Sequence, residues 1–159
     1  MKRNIYLDFS YLVMLAATFG AVIVLGVIVA PVIFHPELLS LGVTIDHYNS
    51  GIIMAEIFSR FSIWLYVVGF WVLFYEALMY KQGQRDRYTF FAASGVVFTS
   101  FMFSGVYSPK ILSMQALGAE ATQSDTFEHI HIASEIDFKI LAVSLVVLFI
   151  RRLMLMRID

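Results

Sequence analysis

With 159 residues, 60% of them hydrophobic and only 14% charged, the chain is too poor in charge for a soluble domain, in which about 25% of residues are charged. It has no cysteine, so disulfides, Cys-based zinc or iron-sulfur centres and covalently attached haem are excluded, and any metal must be held by His, carboxylate, Met or backbone oxygen. The formal net charge of -1 conceals a strong asymmetry along the chain.

About 20 apolar residues carry a helix across the hydrocarbon core of a bilayer. The first such run, residues 11–34, contains no charge. Lys2 and Arg3 precede it as they would a secretory signal, but the run is longer than a signal's apolar stretch of about 7 to 15 residues and lacks a small-residue cleavage site, so it is expected to stay. Pro31 removes a donor near its end and should bend it, and Ala16 and Gly20, four apart, offer a packing seam. The second helix is expected over 52–80, with one acid, Glu76, in its apolar core. The third, 88–107, is free of charge and richer in Ser and Gly, with Ser100 and Ser104 as another seam. Over residues 109–121, Ile111, Leu112, Met114 and Leu117 predict a short amphipathic helix on the outer surface. The fourth helix, 129–151, carries Glu135, Asp137 and Lys139 in its first half. Its purely apolar remainder, 140–150, is only about 16 Å long, so the polar half either lies in the membrane or extends beyond it.

Short basic segments stay on the cytoplasmic side of a membrane. Lys2, Arg3, Lys81, Arg85, Arg87, Arg151, Arg152 and Arg157 all fall on one side of the predicted spans. The two long connections on the other side hold Glu37, Asp46, Glu120, Asp125 and Glu128 against Lys110. The expected fold is therefore an all-α integral membrane four-helix bundle, a single domain over 1–159, with N and C termini cytoplasmic. Lipid is its first partner, and a homodimer or another membrane subunit a second. The few basic residues are those topology requires, which excludes nucleic acid.

All four histidines, His35, His47, His129 and His131, fall on the outer side. His131 and Glu135 are one helical turn apart and point the same way, so they can share a divalent cation, with Glu128 as a third ligand. His129 is rotated about 200° from His131 and cannot join them. The competing reading pairs Glu135 with Lys139 and leaves His131 as an interfacial hydrogen-bonder. His47 and Met54 offer an imidazole and a thioether suited to copper, although methionine also serves simply as core filler. Haem b would need two imidazoles on different helices, for which His35 and His131 are the candidate pair. Glu56 and Arg60 are spaced as an ion pair; with Glu135, Asp137 and Lys139 they either form a buried polar cluster lining an outer cavity or sit on helices that project into water. No phosphate loop, nucleophile elbow or zinc-protease helix occurs, and nothing points to an enzyme.

The segment Gly26-Val27-Ile28-Val29-Ala30-Pro31-Val32-Ile33-Phe34 resembles the Ala-Pro-x-x-Phe ending of the first helix in a bacterial membrane family of unknown function, itself distantly similar to eukaryotic transmembrane protein 205. Phe127, His131 and Ser134 look like that family's Phe-x-x-x-His-x-x-Ser pattern. More remotely, the layout resembles the copper-resistance protein D bundle. The resemblance implies a bacterial inner-membrane protein with four helices and hints at soft-metal handling, with His131 as the one position it carries over. The function expected is the binding, transport or tolerance of a copper-like metal through an acidic, His-containing outer vestibule. A haem b redox subunit and a ligand-free assembly subunit are the alternatives.

Overall fold

A computed structural model of the chain describes residues 5–36, 42 and 44–158, and of residues 157 and 158 the backbone alone. Among the described residues there is helix and turn but no strand. Four long helices follow one another: α1 (Ile5–Phe34), α2 (His47–Lys81), α3 (Arg87–Gln115) and α4 (Asp125–Ile158). The first three are long and apolar enough to cross a membrane, as in a multi-pass membrane protein. The fourth is as long, but its charges leave only 140–150 purely apolar.

α2 and α3 begin earlier than hydropathy alone predicts, because polar caps and not the edges of the apolar runs decide where they begin. Asp46 accepts a hydrogen bond from the Asn49 N–H at 2.8 Å, and Asp86 one from the Thr89 N–H at 2.8 Å. Gly83, at φ 92°, ends α2: the Gln84 N–H reaches the Met79 carbonyl across the turn, a closure that needs the left-handed backbone glycine allows.

Neighbours in sequence are neighbours in space, α1 beside α2, α2 beside α3 and α3 beside α4, and α4 closes the ring on α1. The interior is made of stripes at helical spacing: Tyr11, Leu15, Thr18 and Val22 on α1, Leu65, Val68, Val72 and Tyr75 on α2, Leu141, Leu145 and Leu148 on α4. Large apolar side chains such as Ile63, Phe70, Phe91 and Val143 point outward, an arrangement suited to lipid rather than water. The expected seam at Ala16 and Gly20 is corrected: both are exposed, and a side chain built on Gly20 would meet nothing within 4 Å. The seam at Ser100 and Ser104 is buried, with the Ser104 hydroxyl donating to the Ser62 carbonyl at 3.2 Å.

Two π-helical turns mark the far halves of α1 and α3, at Val24–Val29 and Phe103–Tyr107, each just before a proline, Pro31 and Pro109. Proline lacks an N–H and crowds the carbonyl four residues back; the wider turn takes up both effects without ending the helix. This corrects the expectation of a separate outer helix over 109–121. The segment Ser108–Gln115 is the continuation of α3 and packs on α2; the chain then turns at Gly118, φ 105°.

α3 and α4 approach closely at Gly95, where a Cβ would lie 2.5 Å from Ser144 Oγ and 3.2 Å from its Cβ. Gly95→Ala is therefore expected to cost about 1–3 kcal/mol of stability by overpacking. Thermal unfolding in detergent should show that loss, and Ser144→Gly in the same chain should recover most of it. A neutral single substitution would mean that the helices are not this close.

Candidate functional site

At the end of the bundle where the basic residues gather, four segments meet through side chains. Arg152 of α4, 3% exposed, donates through Nε to Glu76 Oε1 at 2.9 Å, through Nη2 to Glu76 Oε2, and through Nη1 to Gln84 Oε1 at 2.8 Å. Tyr11 of α1 donates to the same Glu76 Oε1 at 2.7 Å, and its ring stacks on Tyr75 with centroids 3.8 Å apart. Tyr75 in turn donates to Asp8 at 2.6 Å, and the Arg152 guanidinium lies 5.3 Å from the Tyr75 ring centre. Asp86, besides capping α3, accepts from Arg151 Nη2 at 2.6 Å, which ties α4 to the α2–α3 turn. Among the described residues, no buried polar atom left without a partner belongs to this cluster. These contacts hold α1, α2, α4 and the α2–α3 turn together.

Sequence reading saw Glu76 only as a lone acid and Arg152 only as a topology signal. A single acid in an apolar helix demands a cation on another helix, and that rule was the signal available. Arg152→Ala strands a buried carboxylate and is expected to cost about 3–5 kcal/mol, read as a large fall in thermal midpoint in detergent. Glu76→Gln combined with Arg152→Met should recover much of it.

Arg151, with the Thr89 amide and hydroxyl, holds the Asp86 carboxyl down to about 2 from its ordinary 3.8. A depressed carboxyl adds stability that is complete above its unfolded value and disappears as pH falls through its folded value. The thermal-midpoint gap between wild type and Asp86→Asn should hold steady down to about pH 4 and close as pH approaches about 2.

The opposite, histidine-bearing end is arranged differently. His131 Nε2 and Glu135 Oε1 lie 3.4 Å apart, and Lys139 Nζ is 3.3 Å from the other oxygen of Glu135. The His131 ring stacks on Phe127 at 6.0 Å. His35, His47, Glu128 and His129 are exposed, with His47 against the Phe34 ring at 5.6 Å, while Met54 is buried. Among the described residues, no three His, Asp or Glu side chains gather as a metal would require, so Glu128 does not complete a three-ligand set with His131 and Glu135. The expected buried polar cluster is also corrected. Glu56 and Arg60 form a 2.7 Å ion pair with side chains 56% and 80% exposed, and Lys139 is exposed too, since each finds its partner one turn away on its own helix and needs no interior.

Asp137 alone of that group is buried, 6% exposed, on the interior stripe Ser134, Asp137, Leu141, Leu145, Leu148 and Arg152. Its Oδ2 is buried without a hydrogen-bond partner, as is the Ser100 hydroxyl. Phe103 against Phe138 at 5.2 Å, with Gly95 opposite Ser144, sets the register of α3 and α4, so that along the bundle axis Asp137 stands within one helical turn of the level of Ser100 and Ser104. Phe58 and Phe61 of α2 meet Phe138 from across the bundle, so the carboxylate stands beside an aromatic layer. The π turn of α3 begins at this level.

A family model described as a domain of unknown function, DUF4149, matches residues 13–120, and the chain belongs to that family. No curated protein and no solved structure matches it. The matched stretch includes Ala30-Pro31-Val32-Ile33-Phe34 but ends before Phe127, His131 and Ser134, and no relative supports a likeness to transmembrane protein 205 or to copper-resistance protein D.

Proposed function

We propose that this DUF4149 protein crosses a bacterial cytoplasmic membrane four times, basic end inward, and binds a small hard cation, a proton or an alkali ion, at Asp137. The observation that carries this reading is the buried, unpartnered Asp137 Oδ2. A carboxylate inside a membrane bundle without a basic partner must either take a proton or hold a cation, and such residues mark ion and proton sites. The donors within a turn of it are hydroxyls, Ser100, Ser104 and Ser134, and oxygen donors suit hard cations rather than copper. The transition-metal reading keeps one observation, the His131–Glu135 contact, and two exposed donors are fewer than the three or four of a tight site.

The reading treats α4 as a span despite its charges. Counting 1.5 Å per residue outward from Arg152, Asp137 lies roughly 22 Å away and His131 roughly 32 Å, which puts Asp137 in the outer third of the hydrocarbon layer and His131 at its edge. Counted the same way, Lys139 lies roughly 10 Å inside that edge, where its ammonium meets Glu135 one turn farther out, and the stem of Arg60 lies against lipid with its guanidinium on Glu56.

The test is labelling by an apolar carbodiimide, which reacts with protonated carboxyls in membranes, on protein reconstituted in lipid. The Asp137 peptide should be modified in the wild type and not in Asp137→Asn. Labelling that falls with added sodium identifies an alkali ion, and labelling that falls only with rising pH identifies the proton. No labelling, or labelling indifferent to both, sinks the reading. Asp137→Asn should leave the thermal midpoint unchanged or raise it, since a binding carboxylate burdens the fold that holds it.

A further inference from the structure

Near the histidine end, the π turn of α3 and the first turns of α4 leave an open groove of about 530 Å³, lined by Gly105, Val106, Tyr107, Pro109, Lys110 and Ile130 among others. We propose that this groove binds one anionic phospholipid, with an acyl chain along its apolar walls and the phosphate on Lys110.

Position supports a lipid first. Lys110 is 24 residues beyond Asp86 on α3 and Ile130 is 22 residues before Arg152 on α4. Both therefore lie roughly 33–36 Å from the basic end, a hydrocarbon thickness and a few ångströms more, which is headgroup level. The walls of Val106, Pro109 and Ile130 offer water nothing to bond. Gly105 lines the groove, and a side chain there would come 3.1 Å from the Tyr66 hydroxyl, so α3 approaches α2 closely at this level.

Charge then selects the headgroup. In this half of the bundle Arg60 is paired with Glu56 and Lys139 with Glu135. Among the described residues, Lys110 has no carboxylate partner, and Ser113 turns its hydroxyl back onto the Lys110 carbonyl at 2.7 Å, which leaves the ammonium as the rim's cation. A second copy of the chain docked here about a two-fold axis would set Lys110 against Lys110, like charge on like. A phospholipid matches both the apolar walls and the single cation.

Native mass spectrometry from detergent, with phosphatidylglycerol or phosphatidylcholine added, tests this. The wild type should retain one phosphatidylglycerol per chain about fivefold more strongly than phosphatidylcholine, the ratio expected of one basic residue near an anionic headgroup. Lys110→Gln should abolish the preference. Ile130→Trp should reduce both lipids by filling the groove; Val106→Trp, at a 49% exposed position, does so without touching the core. Glycerol 3-phosphate, which has the anion but no chains, should not compete. A preference that survives Lys110→Gln, lipid binding that survives both tryptophans, competition by glycerol 3-phosphate, or the loss of a dimer in place of a lipid would each overturn the proposal.

Discussion

Glu76 and Arg152 meet across a diagonal of the bundle, and the arrangement of the other helices follows from how that pair is satisfied. In lipid there is little hydrophobic force to press one apolar helix against another, so packing and polar contacts decide which faces turn inward. A buried ion pair stabilises only when its remaining hydrogen-bonding capacity is met. Here Tyr11 of α1 supplies the carboxylate with a further donor, Gln84 takes another guanidinium N–H, and the Tyr75 ring lies beside the cation. Three helices and a turn are fixed in rotation and register by one charge pair, and Asp86 with Arg151 adds the start of α3.

The two ends of the molecule differ in consequence. Val22 is the last buried residue of α1, so beyond it the helix runs with little burial through its π turn until Ser50 bonds the Ile33 carbonyl at 2.9 Å. Of the four buried polar atoms without partners among the described residues, Trp71 Nε1 lies about a turn and a half from Glu76, while Ser100 Oγ, Gln115 Oε1 and Asp137 Oδ2 lie farther from the clamp at the basic end. A bundle locked at one end can tolerate strained or unsatisfied groups at the other, and functional sites in stable proteins are where such groups collect. The π turns fit the same division, since each lies in the half away from the clamp and is followed by a proline.

The existence and order of the helices were legible because lipid imposes a length and a hydropathy that no soluble helix needs. Their ends were not, because Asp46 and Asp86 lie outside the apolar runs and act by hydrogen bonding, which hydropathy does not record. The outer helix was misread for a related reason: Pro109 reads as an interruption in sequence, while the preceding π turn lets the helix pass through it. For the site, one-turn spacing correctly brought His131 to Glu135, Glu135 to Lys139 and Glu56 to Arg60. The same spacing could not say which faces turned inward, and these pairs turned outward. Asp137 stood among the charges considered, but its isolation depends on the stripe it shares with Leu141, Leu145 and Leu148, a matter of helix rotation fixed far away at Arg152.

Once the local pairs are set aside, the histidine-bearing half keeps, besides the exposed acids of its connections, the buried acid Asp137 and the exposed base Lys110, neither with an opposite charge beside it among the described residues. They are not independent. Counted from the basic end, Lys110 lies roughly 14 Å farther out than Asp137, more than one Debye length at physiological salt, so the two couple where the path between them is protein and not water. A bare ammonium at that distance repels a cation approaching the carboxylate, and a lipid phosphate seated on it cancels the repulsion. On the two proposals together, cation uptake at Asp137 responds to the lipid in the α3–α4 groove, and the membrane becomes a ligand of the site as well as the solvent of the fold.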